Sequence, residues 1–336
     1  MNERLKIVIP MAGFGTRLRP HTWSRPKQLI TIGGQTVLDH VLSMFSTLPD
    51  PENVEYIFII GYLGEKIKDY MQANHPELRV QYVVQEEMRG QSHAIYLARE
   101  YLHGPMLMVF ADTLIETDLS FLADEQADAV AWVKAVPDPR RFGVAKLGQN
   151  GLVERIIEKP RDLSNNLAVV GFYYFRDAHA LVQAIEAQMA QERQLQGEYY
   201  LADAINILLE NGATMRTQRV DIWLDAGTVE AVLETNRYLL GHGRDNSDQV
   251  SAREGVLIVP PVFIHPEAHV EASVIGPYVS LGAGCEVRHC VLEDTIVERA
   301  ARISGLSLTH SLIGENAVVE GGSRSVNIGD HSVVNI

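Results

Sequence analysis

The chain has 336 residues, 46% of them apolar and 21% charged, the balance of an ordinary globular protein long enough for two domains. Its 43 acidic residues outnumber 29 basic ones, and the formal net charge of -14 argues against nucleic acid as a partner. No apolar run reaches the roughly 18 residues of a membrane span, the N-terminus has no secretory apolar region, and two cysteines make no disulfide framework, so a cytoplasmic protein is expected.

Residues 6–10, short and β-branched, predict a buried strand. It runs into Met11-Ala12-Gly13-Phe14-Gly15-Thr16-Arg17, a glycine-punctuated turn followed by Arg19, Arg25 and Lys27. Between residues 4 and 38 there are six Lys or Arg and no Asp or Glu, in a chain that is otherwise acidic. Glycines let the backbone approach an anion and the basic side chains neutralise it, so this stretch predicts a phosphate cradle. The Walker pattern is absent, since no Gly-Lys-Ser/Thr follows. The dinucleotide pattern fails at Leu18, where its third glycine belongs.

Thr36 to Leu48 carries apolar residues at helical spacing, with Thr36 as N-cap. Strands at 55–60, 78–84 and 106–110 alternate with helices at 64–73 and 91–102, which implies right-handed βαβ units and a parallel sheet. Ligands of such sheets sit at the carboxyl ends of the strands, where the loop at 11–17, Gln85 to Gly90, and Asp112 all fall. From 129 onward, strands are expected at 129–136, 143–147, 153–158 and 168–175, then helices at 178–192 and 200–210. A strand at 214–220 and a helix at 229–240 follow. The polar, turn-rich stretch 241–250 reads as a linker. Beyond it, aliphatic residues pair at Ile264 and Val270, Leu281 and Val287, Val297 and Ile303, Ile313 and Val319, with Ile328 after them. Six residues separate the members of each pair, and from Leu281 the pairs repeat at about every 16. A fixed period of this kind, punctuated by glycines up to Gly329, signals a solenoid of stacked coils.

Ala-Gly-Phe-Gly-Thr-Arg-Leu-Arg-Pro, followed by Arg-Pro-Lys-Gln-Leu, resembles the signature of the sugar-1-phosphate nucleotidylyltransferases, and the likeness extends over nearly the whole chain. The resemblance implies a Rossmann-like α/β catalytic domain with a mixed, mostly parallel sheet over 1–242. A linker at 243–255 and a left-handed parallel β-helix at 256–336 would complete the chain. The implied reaction is attack by a sugar-1-phosphate oxygen on the α-phosphorus of a nucleoside triphosphate, dTTP or UTP, with release of pyrophosphate. The attacking phosphate is already mostly ionised at neutral pH, so the site needs positioning, charge neutralisation and Mg²⁺ rather than a general base.

The resemblance carries roles onto matching positions. Arg17 and Lys27 would meet the β- and γ-phosphates, and Ala12, Gly13, Gly15 and Thr16 would line the nucleotide with them. Gln85 would read the N3 and O4 edge of a pyrimidine, with Gly90 packed at the base. Asp112 and Asp225 would hold Mg²⁺. Gly143, Glu158, Lys159, Val170 and Glu198 would bind the sugar phosphate, with Asn165 and Asp203 as lesser candidates. His21 and His93 read as structural or surface residues, and Cys285 and Cys290 as small apolar fillers. The loop is one residue shorter than in typical thymidylyltransferases, and Thr113 stands where those usually have Asn. The base therefore stays open between thymine and uracil, with guanylyl or adenylyl transfer, a bifunctional acyltransferase and a non-catalytic sugar-nucleotide sensor as alternatives. Neither nucleic acid nor a membrane is an expected partner, and the β-helix would carry homo-oligomer contacts.

Overall fold

A computed structural model describes residues 4–250 and 255–322. The chain divides into two compact units, Met1–Ile30 with Gln35–Val232, and Thr31–Gly34 with Leu233–Ile336. In chain order the elements begin with β1 (Leu5–Pro10), the two-residue strands β2 (Thr31–Ile32) and β3 (Gln35–Thr36), α1 (Val37–Ser43), β4 (Val54–Ile60), α2 (Gly64–Asn74), β5 (Val80–Val84) and α3 (Gln91–Leu97). They continue with β6 (Met106–Val109), β7 (Thr113–Ile115), β8 (Ala129–Ala135), β9 (Gly143–Leu147), β10 (Val153–Glu158) and β11 (Leu167–Phe175). Then come α4 (Ala178–Ala190), α5 (Leu201–Glu210), β12 (Met215–Arg219), β13 (Trp223–Asp225) and α6 (Val229–Leu239).

The first unit is built on a mixed sheet in the order β10-β9-β11-β6-β1-β4-β5, with β8 joining β11 to β12. The pairs β1–β4, β1–β6, β4–β5 and β8–β12 are parallel, while β11 runs against β6, β8 and β9, and β10 against β9. Strands covered on both faces read as near-continuous apolar runs, as β6 does throughout and β1 and β4 do after Lys6 and Glu55. Trp132 on β8 is fully buried, lies 4.7 Å from the Phe172 ring, and its indole N–H donates to Thr117 Oγ1 at 2.9 Å.

Thr36 caps α1 through a reciprocal box, its hydroxyl accepting from Asp39 N and the Asp39 carboxylate accepting from Thr36 N. The expected helix to Leu48 stops early, and Met44–Thr47 continue as a 3₁₀ turn. The Ser43 hydroxyl donates to the His40 carbonyl there and competes with the helical ladder. Likewise α3 ends at Leu97 and gives way to a 3₁₀ turn at Arg99–Tyr101. Sequence periodicity missed the antiparallel pair β7–β13, whose three-residue strands are too short to show a period.

In the second unit short parallel strands stack coil upon coil. Ile264, Leu281, Val297 and Ile313 stand in one register column. Val270, Val287, Ile303 and Val319 form another. Each step is 17 or 16 residues, and both columns are the expected aliphatic pairs. A third column, Ile258, Ile275, Leu292 and Leu308, was not anticipated. Ile328, Gly329 and residues 251–254 of the expected linker lie outside the described residues. The polar residues just before 251 make backbone contacts: Asn246 Nδ2 donates to Ile264 O and its Oδ1 accepts from Ile264 N, while Asp245 accepts from Val262 N.

Asn236 on α6, fully buried, ties three parts of this unit together. Its Oδ1 accepts from Gly33 N at 3.0 Å and from Ser280 Oγ at 2.6 Å, and its Nδ2 donates to Tyr278 O at 3.2 Å. Truncation would leave these buried groups without that partner. Asn236→Ala is therefore expected to destabilise the unit by about 3 kcal/mol, measured as a lower unfolding temperature in calorimetry and faster exchange of the Gly33 amide. An unchanged melting profile would show that Asn236 fills space rather than joins the segments.

Candidate active site

The carboxyl ends of β1, β5 and β6 open into a cleft of about 440 Å³. Among its lining residues are Ala12, Gly13, Arg17, Lys27, Gln85, Gly90, Asp112 and Glu198, eight positions singled out in the sequence. Met88, Gln91, Ala94 and Phe110 also line it and were not anticipated; no charge or glycine marks them in the sequence.

The loop after β1 keeps its shape through Gly15, at φ +61°, whose carbonyl accepts from the buried Thr22 hydroxyl at 2.8 Å. Gly15 and Thr16 shape this loop without lining the cleft. Lys27 Nζ donates to Asp112 Oδ2 at 2.5 Å. Burial alone would raise the Asp112 carboxyl, but the charge and hydrogen bond of Lys27, with Arg17 behind them, hold it below the usual range.

Asp225 reaches the same place through β13. Its backbone stands opposite Thr113 in the β7–β13 ladder, and Ala226 N donates to Asp112 O at 3.0 Å. Asp225 Oδ1 accepts from Gly227 N at 3.0 Å. Its carboxyl is pushed up first by burial and then by the negative charge of Asp112, with Arg17 and Lys27 opposing the shift. A side chain at Gly227 would put its Cβ 2.7 Å from an Arg17 guanidinium nitrogen, so glycine there leaves Arg17 its place. Thr113 supports the framework of the site. Its hydroxyl donates to Val170 O at 3.0 Å, which ties β7 to the irregular stretch of β11. Val170 is itself buried.

Gln85 ends β5 and is 5% exposed. Its Nε2 lies 3.4 Å from Gly90 O and 3.3 Å from His93 Nδ1. Burial holds the His93 imidazole below its usual range. Gly90, at φ +96° and ψ 178°, occupies backbone space that only glycine populates readily. A Cβ there would come within 2.6 Å of the Tyr199 carbonyl oxygen.

A second group gathers at the end of the β9–β10 hairpin, where Glu158 pairs with Gly143. A Cβ on Gly143 would stand 3.1 Å from Glu158 Oε2. Lys159 Nζ donates to Tyr200 Oη at 3.0 Å and lies 4.8 Å from the centre of that ring. The Tyr200 hydroxyl, first among the causes, raises the Lys159 pKa. The Glu158 carboxyl is raised by burial, with Asp203 adding to the effect and Lys159 opposing it. Burial also raises Asp203. The Asn165 amide donates to Ala145 O and its carbonyl oxygen accepts from Leu167 N, which makes it a brace of the hairpin.

A carboxyl raised by folding holds its proton more tightly in the folded state. Stability then falls as pH climbs from the unfolded value near 4.5 through the folded pKa, and is level above it. Glu158→Gln, neutral at every pH, is expected to melt like the wild type near pH ~4 and higher than it at pH ~7.5. Melting curves across that range test this, and a constant difference at all pH values would remove the burial argument.

Two carboxylates near enough to act on each other, Asp112 after β6 and Asp225 at the end of β13, with Arg17 and Lys27 acting on both, suit a hard divalent cation and an anionic ligand together. Among the described residues no group of three or more His, Cys, Asp or Glu gathers as a metal cage. Asp112 and Asp225 would therefore leave much of an octahedral shell to water and phosphate oxygens, which is the habit of Mg²⁺.

The family model described as nucleotidyl transferase matches residues 6–241. A glucose-1-phosphate thymidylyltransferase of Streptomyces antibioticus is 30% identical over 363 aligned positions, covering 99% of each chain. One of Streptomyces griseus is 29% identical over 98% of each. A solved structure of a UDP-glucose pyrophosphorylase complexed with UDP-glucose superposes on 71% of this chain and 99% of its own, with a TM-score of 0.61 and 20% identity, a likeness of fold.

Proposed function

We propose that this chain, which belongs to the nucleotidyl transferase family, makes an NDP-sugar and pyrophosphate from dTTP or UTP and a hexose-1-phosphate, with glucose-1-phosphate as the first candidate. It is an enzyme of nucleotidyl transfer to a sugar-1-phosphate. The mutual influence of the charges of Arg17, Lys27, Asp112 and Asp225 carries the reading, because a crowded anionic reaction needs that mixture of charges.

A nonbridging oxygen of the sugar phosphate attacks the α-phosphorus, the α–β phosphoanhydride bond breaks, and pyrophosphate leaves with its electron pair. Arg17 and Lys27 neutralise the β- and γ-phosphates, Arg as a planar fork and Lys as a point charge. Gln85 faces the base with Gly90 beside it. Glu158 accepts from sugar hydroxyls and Lys159 meets the sugar phosphate, with Gly143, Val170 and Glu198 shaping that end. Mg²⁺, held by Asp112 and Asp225, would supply Lewis-acid charge at the phosphates.

For the domains we propose catalysis in 1–242, a linker at 243–255, and a left-handed β-helix over 256–336. The stacked parallel strands and their 16- or 17-residue step support the last of these. Homo-oligomer contacts are assigned to the coils, where Leu257 and Val291 are exposed in a single apolar column with Val274.

Pyrophosphate release from glucose-1-phosphate and Mg²⁺ with each of dTTP, UTP, CTP, GTP and ATP tests the function. Turnover with dTTP or UTP supports it and names the base. Turnover only with a purine removes the role given to Gln85. Silence with every nucleotide, repeated with mannose-, galactose- and N-acetylglucosamine-1-phosphate, would move the chain to a sugar-nucleotide sensor.

A further inference from the structure

The side chains of Lys27 and Asp112 form a close ion pair. Nζ and Oδ2 stand 2.5 Å apart, each side chain is 17% exposed, and the two residues lie 85 positions apart in sequence on separate loops of the site. The assigned mechanism asks something different of both. Asp112 is to face a divalent cation, and Lys27 a triphosphate. An ammonium in contact with a carboxylate oxygen opposes a divalent cation at that carboxylate, because the two positive charges repel at close range. The lysine stem is flexible and its charge compact, so the ammonium can swing to a new anion when one arrives. Arg17 is placed otherwise: its guanidinium lies against Gly227, and no hydrogen bond joins it to Asp112 among the described contacts.

We propose that Lys27 is an exchangeable counter-ion: it neutralises Asp112 as long as no cation is bound there and passes to the triphosphate when a divalent cation takes Asp112, so cation and nucleotide tighten each other through this residue. The inference rests on the metal and nucleotide reading given above. It makes the two ligands reciprocally coupled, since whichever binds first removes a partner from the pair that resists the other. Without nucleotide, the cation competes with Lys27 and binds weakly. With the triphosphate present, Lys27 has an anion to move to.

The test is Mn²⁺ binding to the full chain, read as loss of the free-ion EPR signal, with no nucleotide present. Lys27→Met and Lys27→Gln are each expected to bind Mn²⁺ about tenfold more tightly than the wild type, within the usual range of coupling between sites. Arg17→Met removes the same charge nearby without freeing Asp112, and is expected to change the affinity by less than about threefold. The glutamine variant keeps the test open if the methionine variant misfolds, and melting curves report on both. Equal tightening by the Lys27 and Arg17 variants would overturn the proposal as a plain charge effect, and so would unchanged affinity in the Lys27 variants. If no protein binds Mn²⁺ even with UTP added, the metal reading fails and the exchange with it.

Discussion

Asp225→Asn is expected to lower pyrophosphate release by about a thousandfold while leaving the melting temperature unchanged or higher. The Asp225 carboxyl is held where folding disfavours its charge, first through burial and then through Asp112. Asparagine removes that penalty, and its side-chain oxygen still accepts from Gly227 N, so the local turn is kept. The cost falls on chemistry, because a neutral amide cannot hold a divalent cation beside Asp112 as a carboxylate does. Groups that stabilise developing charge contribute about 10²–10³ each when removed singly. Steady-state kinetics and calorimetry on the same preparation decide the matter. A variant that is inactive and also markedly less stable would mean that Asp225 supports the β7–β13 pair rather than the reaction.

Gly90→Ala is expected to cost about 3 kcal/mol of stability through backbone strain, and to lose activity with every nucleotide. The position sits at φ +96° and ψ 178°, and any Cβ would press on the Tyr199 backbone from both its nitrogen and its carbonyl oxygen. That backbone cannot yield easily. Tyr199 N donates to Arg89 O at 2.9 Å, and Ser92 N donates to Tyr199 O at 3.1 Å, so a shift breaks the bonds that lock 89–92 to the segment before α5. Gly90 O is also where the Gln85 amide rests. The expected kinetic sign is a rise in KM for the nucleotide larger than that for the sugar phosphate. Equal rises would point to general unfolding instead, which the melting curve would show independently.

Much of the fold was legible because its elements obey simple periods. The strands at 143–147 and 153–158 coincide with β9 and β10, and the aliphatic pairs from Ile264 to Val319 stand in register in the coils. That Gly13, Arg17 and Lys27 line the cleft was legible because a glycine-punctuated turn after a parallel strand falls at the carboxyl edge of the sheet. What stayed hidden depends on long-range pairing. The ladder β7–β13, which sets Asp225 beside Asp112, spans three residues a side and joins segments more than 100 positions apart. The partner of Lys159 is the hydroxyl of Tyr200, 41 positions away and brought to it only by the fold. The interrupted end of α1 turns on local competition for hydrogen bonds, to which spacing is blind.

The segment Thr31–Gly34 belongs with the residues from Leu233 onward, although it is synthesised near the start of the chain. Thr31 N donates to Glu298 Oε1 at 3.0 Å, across 267 positions of sequence. A ribosome adding roughly 5–20 residues per second leaves tens of seconds between the two partners. During that interval the nascent chain carries a small tongue with its final seat not yet made. The order of synthesis thus obliges this protein to keep part of its beginning waiting for its end, and a polypeptide released before Glu298 emerges would leave the tongue unseated.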